Sequence, residues 1–123
     1  MNNPAEVIEL TFHASTNPTG IVEKEQPITG SFQLLPNYPN PFNPETNIPF
    51  EIGGFKSVHT NLSVYNILGQ RVRIIVNEVL APGVYEASWD GRDNAGNPVS
   101  SGLYFYQLSA GNTNLLGRMI LMK

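Results

Sequence analysis

Asn37-Tyr38-Pro39-Asn40-Pro41-Phe42-Asn43-Pro44-Glu45-Thr46 carries three prolines at alternate or near-alternate positions, with aromatics and asparagines between them. Each proline fixes its own φ and pushes the residue before it toward extended geometry. The segment therefore reads as a stiff, extended lead-in rather than a floppy linker. Directly after it, Ile48, Phe50 and Ile52 alternate with Asn47, Pro49 and Glu51, the period of a half-buried strand. Pro49 cannot donate a ladder hydrogen bond, so this strand is expected at a sheet edge, or with that site facing out.

The same punctuation continues on both sides. Ser31 to Leu35 is a short strand before the proline segment, and Gly53-Gly54 ends the strand after it. Asn61 to Ile67 follows, with Leu62 and Val64 on one face, and Gly69-Gln70 marks a turn. In Arg71 to Val76 the alternation puts Val72, Ile74 and Val76 inward and two arginines outward. Beyond Ala81-Pro82-Gly83, the strand Val84 to Trp89 places Tyr85, Ala87 and Trp89 on one face. Asp90 to Pro98 is a long turn region, and Gly102 opens Leu103-Tyr104-Phe105-Tyr106-Gln107-Leu108. That strand is bulky on both faces and is expected to be central in its sheet. Gly111-Asn112 is a hairpin turn, and Leu115 to Met122 is an apolar strand closed by Lys123.

No segment holds an i, i+3, i+4, i+7 apolar pattern long enough for a helix. Counted from Phe32, about seven antiparallel strands fall in roughly 90 residues, the size and spacing of an all-β, immunoglobulin-like β-sandwich. Further upstream, Ile8, Leu10 and Phe12 share one face of a strand over Val7 to His13, and Asn17-Pro18-Thr19-Gly20 and Glu23 to Pro27 look like linker. Residues 1–30 are accordingly expected to be a linker or the end of an upstream domain, and 31–123 the sandwich. The pattern leaves open which of the two owns the strand at Val7 to His13.

Composition removes several function classes. The chain has 123 residues, a net charge of −3, 14% charged residues and no cysteine. Seven scattered Lys and Arg make no concentrated basic face, so nucleic-acid binding by counterion release is not expected. Without cysteine there is no disulfide framework, thiolate metal site or cysteine nucleophile. No apolar run approaches the ~20 residues of a transmembrane helix. Met1-Asn2-Asn3-Pro4 has neither the basic start nor the apolar stretch of a signal peptide, so the reading is either a cytosolic protein or, preferred, a piece of a longer precursor.

Three stretches in order carry a resemblance. They are Tyr38-Pro39-Asn40-Pro41-Phe42-Asn43-Pro44-Glu45-Thr46 with Ile48, then Val64-Tyr65-Asn66-Ile67-Leu68-Gly69-Gln70, then Trp89-Asp90-Gly91-Arg92-Asp93 with Gly96, Pro98-Val99 and Ser101-Gly102-Leu103-Tyr104-Phe105-Tyr106. From about Phe32 to Lys123 the chain resembles the type A C-terminal sorting domain of proteins exported by the type IX secretion system of Bacteroidetes. That family is itself similar to the immunoglobulin-like domain of the flagellar hook-capping protein. The resemblance implies a non-catalytic address label behind a larger, covalently attached cargo. The outer-membrane export machinery would read it, and in some members a sortase-like surface protease removes it. The implied location is secreted or cell-surface, reached through the periplasm of a Gram-negative-type bacterium. Met119-Ile120-Leu121-Met122-Lys123 matches the family's apolar terminus with a basic end. Leu116, Arg118, Ile120 and Lys123 are the candidate recognition residues. Tyr38, Pro39, Pro41, Phe42, Pro44, Trp89, Gly102 and Tyr104 are the structural motif, with Tyr38 and Phe42 expected to pin the lead-in onto the sandwich.

Other constellations carry less. Asp90, Asp93, Asn94 and Asn97 could offer oxygens to calcium, with Asp90 and Asp93 as first ligands, but the spacing is not that of an EF-hand loop. The same residue types build turns by side-chain-to-backbone hydrogen bonds, which is the default reading, and no other cofactor is implied. His13 and His59 lie on separate segments with no matching carboxylates. The serines lack a G-x-S-x-G elbow, and Asp90 and Asp93 share one turn rather than facing across a cleft, so the chain is not expected to be an enzyme. Trp89, Tyr104 and Tyr106 at alternate strand positions read as core, although exposed they could stack on sugars. The alternative function is therefore a carbohydrate-binding or adhesion module of a secreted polysaccharide-degrading enzyme. The last strand, apolar on both faces, offers a receptor a route by strand addition if it lies at an edge.

Overall fold

The computed structural model describes residues 21–24 and 30–123. Among these residues eight strands run in chain order: β1 (Val22–Lys24), β2 (Gln33–Leu34), β3 (Thr46–Ile52), β4 (Val58–Tyr65), β5 (Arg71–Leu80), β6 (Gly83–Trp89), β7 (Gly102–Ala110) and β8 (Thr113–Leu121). They form two four-stranded sheets of order β1-β6-β3-β2 and β5-β4-β7-β8, and every strand pair is antiparallel. This is an all-β immunoglobulin-like sandwich, with no helix among the described residues.

The period-2 pattern decides which side chains meet between the sheets. Ile48, Phe50 and Ile52 of β3 and Tyr85, Ala87 and Trp89 of β6 face Leu62 and Val64 of β4 and Tyr104, Tyr106, Leu108 and Ala110 of β7 across one buried core. Phe50 and Tyr85 stand directly opposite in register, their rings stacked at 5.5 Å. Two tyrosines close their own strand entrances by the same device. The Tyr85 hydroxyl donates to the Ala81 carbonyl at 2.7 Å and the Tyr104 hydroxyl to that of Ser100 at 2.6 Å, each four residues upstream, in the manner of a tyrosine corner.

Three features depart from the sequence reading. β3 is internal, between β6 and β2, so the edge position expected from Pro49 fails, and its nitrogen instead faces away from the long ladder. The Pro49 carbonyl accepts from Leu35 N–H at 3.0 Å. A residue's nitrogen and carbonyl point to one side of a strand, so the missing donor faces the flank of two-residue β2 and costs the β6 ladder nothing. In β5 the alternation is broken: Leu62 pairs with Val76 but Ser63 with Ile74, and Val64 with Arg73 but Tyr65 with Arg71. The resulting bulges put Ile75 in the core beside Val76, while Ile74 is only half-buried. Finally, β1 pairs with β6 and Ile21 is buried. The sandwich thus takes in residues upstream of 31, which the sequence reading had given to the linker. The strand expected at Val7 to His13 lies outside the described residues.

Candidate functional site

The proline-rich segment is folded rather than extended. Tyr38 N–H donates to the Asn47 carbonyl at 2.9 Å and Asn47 N–H to that of Tyr38 at 2.8 Å. This reciprocal pair brings the two ends of residues 38–47 together, so the prolines between them line a closed loop instead of a rod. The peptide bonds preceding Pro39, Pro41 and Pro44 are cis, and all three prolines are exposed. The base of the loop is polar and buried. Asn37 Nδ2 donates to Thr46 Oγ1 at 3.0 Å, and Thr46 Oγ1 donates to the Pro39 carbonyl at 2.9 Å. Tyr38 is half-exposed, and its hydroxyl donates to the Glu86 carboxylate.

The tip of the loop reaches the other sheet. Phe42 is 2% exposed. Its ring centroid lies 5.6 Å from that of Trp89, which stands 5.4 Å edge-on to Tyr104. Trp89 Nε1 donates to the Arg92 carbonyl at 2.8 Å. The main chain of Phe42 also pairs with β8, its N–H donating to the Ile120 carbonyl at 3.0 Å and its carbonyl accepting from Met122 N–H at 2.9 Å. Asn40 Oδ1 accepts from Ile120 N–H at 3.0 Å. Gly91 is packed so closely that a Cβ there would stand 3.1 Å from the Pro44 carbonyl. One further tie crosses nearby: the Tyr106 hydroxyl donates to the Leu35 carbonyl and accepts from Asn37 N–H, both at 3.1 Å. The Tyr106 ring passes over Gly117, where a Cβ would lie 2.3 Å from Cζ.

β8 is an edge strand. Met119 and Leu121 are buried, whereas Leu116, Ile120 and Met122 are exposed, so one face packs and the other meets solvent. Arg118 and Lys123 are exposed, and Lys123 N–H donates to Ser101 Oγ at 3.0 Å. Gly102 faces Leu121 in the β7–β8 register.

The turn at Asp90 to Asn97 is held by its own carboxylates. Asp90 Oδ1 accepts from Arg92 N–H at 3.1 Å, and Asp93 Oδ1 accepts from Ala95 and Asn97 N–H at 3.0 and 2.9 Å. Arg73 and Arg92 approach Asp90 at 3.7 and 4.0 Å. One oxygen of each carboxylate is thus committed to main-chain donors, as in the turn reading, and among the described residues no three acidic or imidazole groups cluster as a metal site. The turn instead caps β5: Asn94 N–H donates to the Val72 carbonyl and Asn94 Oδ1 accepts from Ile74 N–H, at 3.0 and 2.9 Å. The aromatics expected to stack on sugars if exposed, Trp89, Tyr104 and Tyr106, are buried and form no such platform.

The sequence reading gave no role to Asn37, Asn40 or Gly117 and weighed Asn94 only as a calcium oxygen or turn residue. An asparagine before a proline and a glycine inside an apolar strand were the available signals.

The FlgD Ig-like domain family matches residues 43–114, more than half of the chain. The chain belongs to that family. No curated protein matches it. Among solved structures, dimeric latent PorU from Porphyromonas gingivalis superposes with a TM-score of 0.62 at 15% identity, over 74% of this chain and 9% of that one. PorZ of the same organism, described as an essential surface component of the type-IX secretion system, gives 0.52 at 21% identity over 73% and 11%. Pseudomonas fluorescens AlkC, a DNA glycosylase bound to DNA with an abasic-site analog, gives 0.53 at 11% identity over 95% and 34%. At these identities the likeness is one of fold, and a DNA glycosylase among the neighbours shows how little fold alone says about activity. The chain spans about a tenth of the two Porphyromonas proteins.

Proposed function

We propose that this member of the FlgD Ig-like domain family is a non-catalytic sorting module that directs an attached cargo through type IX export to the cell surface. One observation carries the reading. Stretches on which the sorting-domain resemblance rests lie far apart in sequence yet converge on one corner, where Phe42 packs on Trp89, Trp89 on Tyr104, and the Phe42 main chain grips the last strand. A motif that fastens the terminal segment to the sandwich presents that segment in a defined geometry, which a receptor needs. Sandwiches of the same fold in PorU and PorZ add support. The partners are the outer-membrane export machinery and, where the label is removed, a sortase-like protease.

The test fuses the 123-residue chain behind a reporter carrying an inner-membrane signal peptide, in a type IX-competent host. The reporter is expected in the medium or on the surface. Its accumulation in the periplasm, at the level of a reporter without the domain, would sink the proposal. Substituting Phe42 by alanine removes both ring packing and loop placement, and export is expected to fall with it.

A further inference from the structure

The four sheet edges are treated unequally. β1 and β2 are three and two residues long. β5 is broken by two bulges and capped at Val72 and Ile74 by Asn94. These are the ordinary ways of blunting an edge against other chains. β8 differs: its nine-residue register with β7 runs without a shift. Because Ile120 bonds outward to Asn40 and Phe42, the alternation of an antiparallel ladder sends the N–H and C=O of Arg118, Leu116 and Asn114 outward as well. No described residue bonds those main-chain groups. The loop at 38–47 thus covers the edge from Ile120 onward and stops.

Side chains along the open stretch have a specific chemistry. Leu116 is exposed and borders a groove of about 310 Å³ with Tyr65, Ile67 and Phe105. Arg118, two residues on and on the same outer face, has no acidic partner among the described residues. Resting on the sorting role proposed above, we infer that the export receptor reads this domain by adding an extended strand to β8 over Asn114 to Arg118. The recognised strand carries an apolar side chain to pack on exposed Leu116 and, two residues away, a carboxylate for Arg118. A second copy of this chain is the poorer occupant: self-pairing antiparallel about Leu116 sets Asn114, not a carboxylate, opposite Arg118. In this arrangement Met119 to Met122 anchor the strand and are not themselves read.

The reporter fusion of the full chain tests the inference with two variants. Leu116→Pro removes an outward N–H and leaves the β7 ladder intact. Arg118→Glu reverses the one charge on the open stretch. With thermal midpoints unchanged, each is expected to lower the exported fraction about tenfold, the size of a single lost main-chain hydrogen bond or ion contact. Wild-type export with both variants exported equally well overturns the edge inference and leaves the sorting role standing. A wild-type fusion that stays in the periplasm overturns the sorting role and this inference with it. A wild-type dimer in sedimentation that Leu116→Pro dissociates also overturns the inference, since the edge then belongs to a second copy.

Discussion

At the scale of single residues, the corner is built from contacts with little room to adjust. Trp89 is 1% exposed and touches both Phe42 and Tyr104. Trp89→Ala leaves a large void and is expected to cost about 3–5 kcal/mol in urea unfolding. Gly117 is needed because the Tyr106 ring occupies the space of its missing side chain, an aromatic lying across an edge glycine. Gly117→Ala is expected to cost about 1–3 kcal/mol by overpacking. The same substitution in a Tyr106→Leu background should cost clearly less, and a double-mutant cycle with no coupling would refute the assignment. Trp89 was legible in advance, since alternate aromatics on a strand point into a core. Gly117 was not: its reason is a ring on the neighbouring strand, and pattern along one strand does not report what lies across the ladder.

At the scale of elements, strand identity followed from period 2 and from Gly and Pro punctuation. β3 and β6 fall where the alternation puts them, β7 is internal as its two bulky faces require, and β8, read as apolar on both faces, packs one face and exposes the other. β5 shows where that reading ends. Its two bulges shift the phase inside one apolar run, and Arg71-Val72-Arg73-Ile74-Ile75-Val76 reads equally well with Ile74 or Ile75 inward. The proline loop failed for a different reason. Local φ preference favours extended chain, but the Tyr38–Asn47 main-chain pair closes the segment, and tertiary pairing outweighs local preference. The loop's grip on β8 gives a direct test. Asn40→Ala is expected to lower stability by about 0.5–1.5 kcal/mol. In hydrogen exchange it should deprotect the Ile120 amide while those of Met119 and Leu121, which point to β7, stay slow. Uniform deprotection of all three would mean that Asn40 does not act locally.

For the whole molecule, buried phenols close a strand entrance at Tyr85 and join the two sheets at Tyr106, and this sets a limit at high pH. Burial raises the Tyr85 phenol above its ordinary 10.0, with the Glu23 and Glu78 carboxylates adding to it. Burial also raises that of Tyr106, opposed by the hydrogen bond from the Asn37 main chain. The folded protein then holds protons that the unfolded chain gives up. Their contribution to stability is complete below 10.0 and is lost as pH rises through the folded values. Denaturant midpoints should hold up to about pH 10 and fall beyond it, and Tyr85→Phe should make that fall shallower. A midpoint flat to about pH 12 would contradict the burial of these hydroxyls. The placement of Met119 to Met122, core-lining on one side and bonded to Phe42 and Asn40 on the other, has a consequence for folding. A chain without β8 has neither the Met119 and Leu121 side of the core nor the main-chain partners that hold Phe42 in place, so the proline loop and the sandwich must gain their order together.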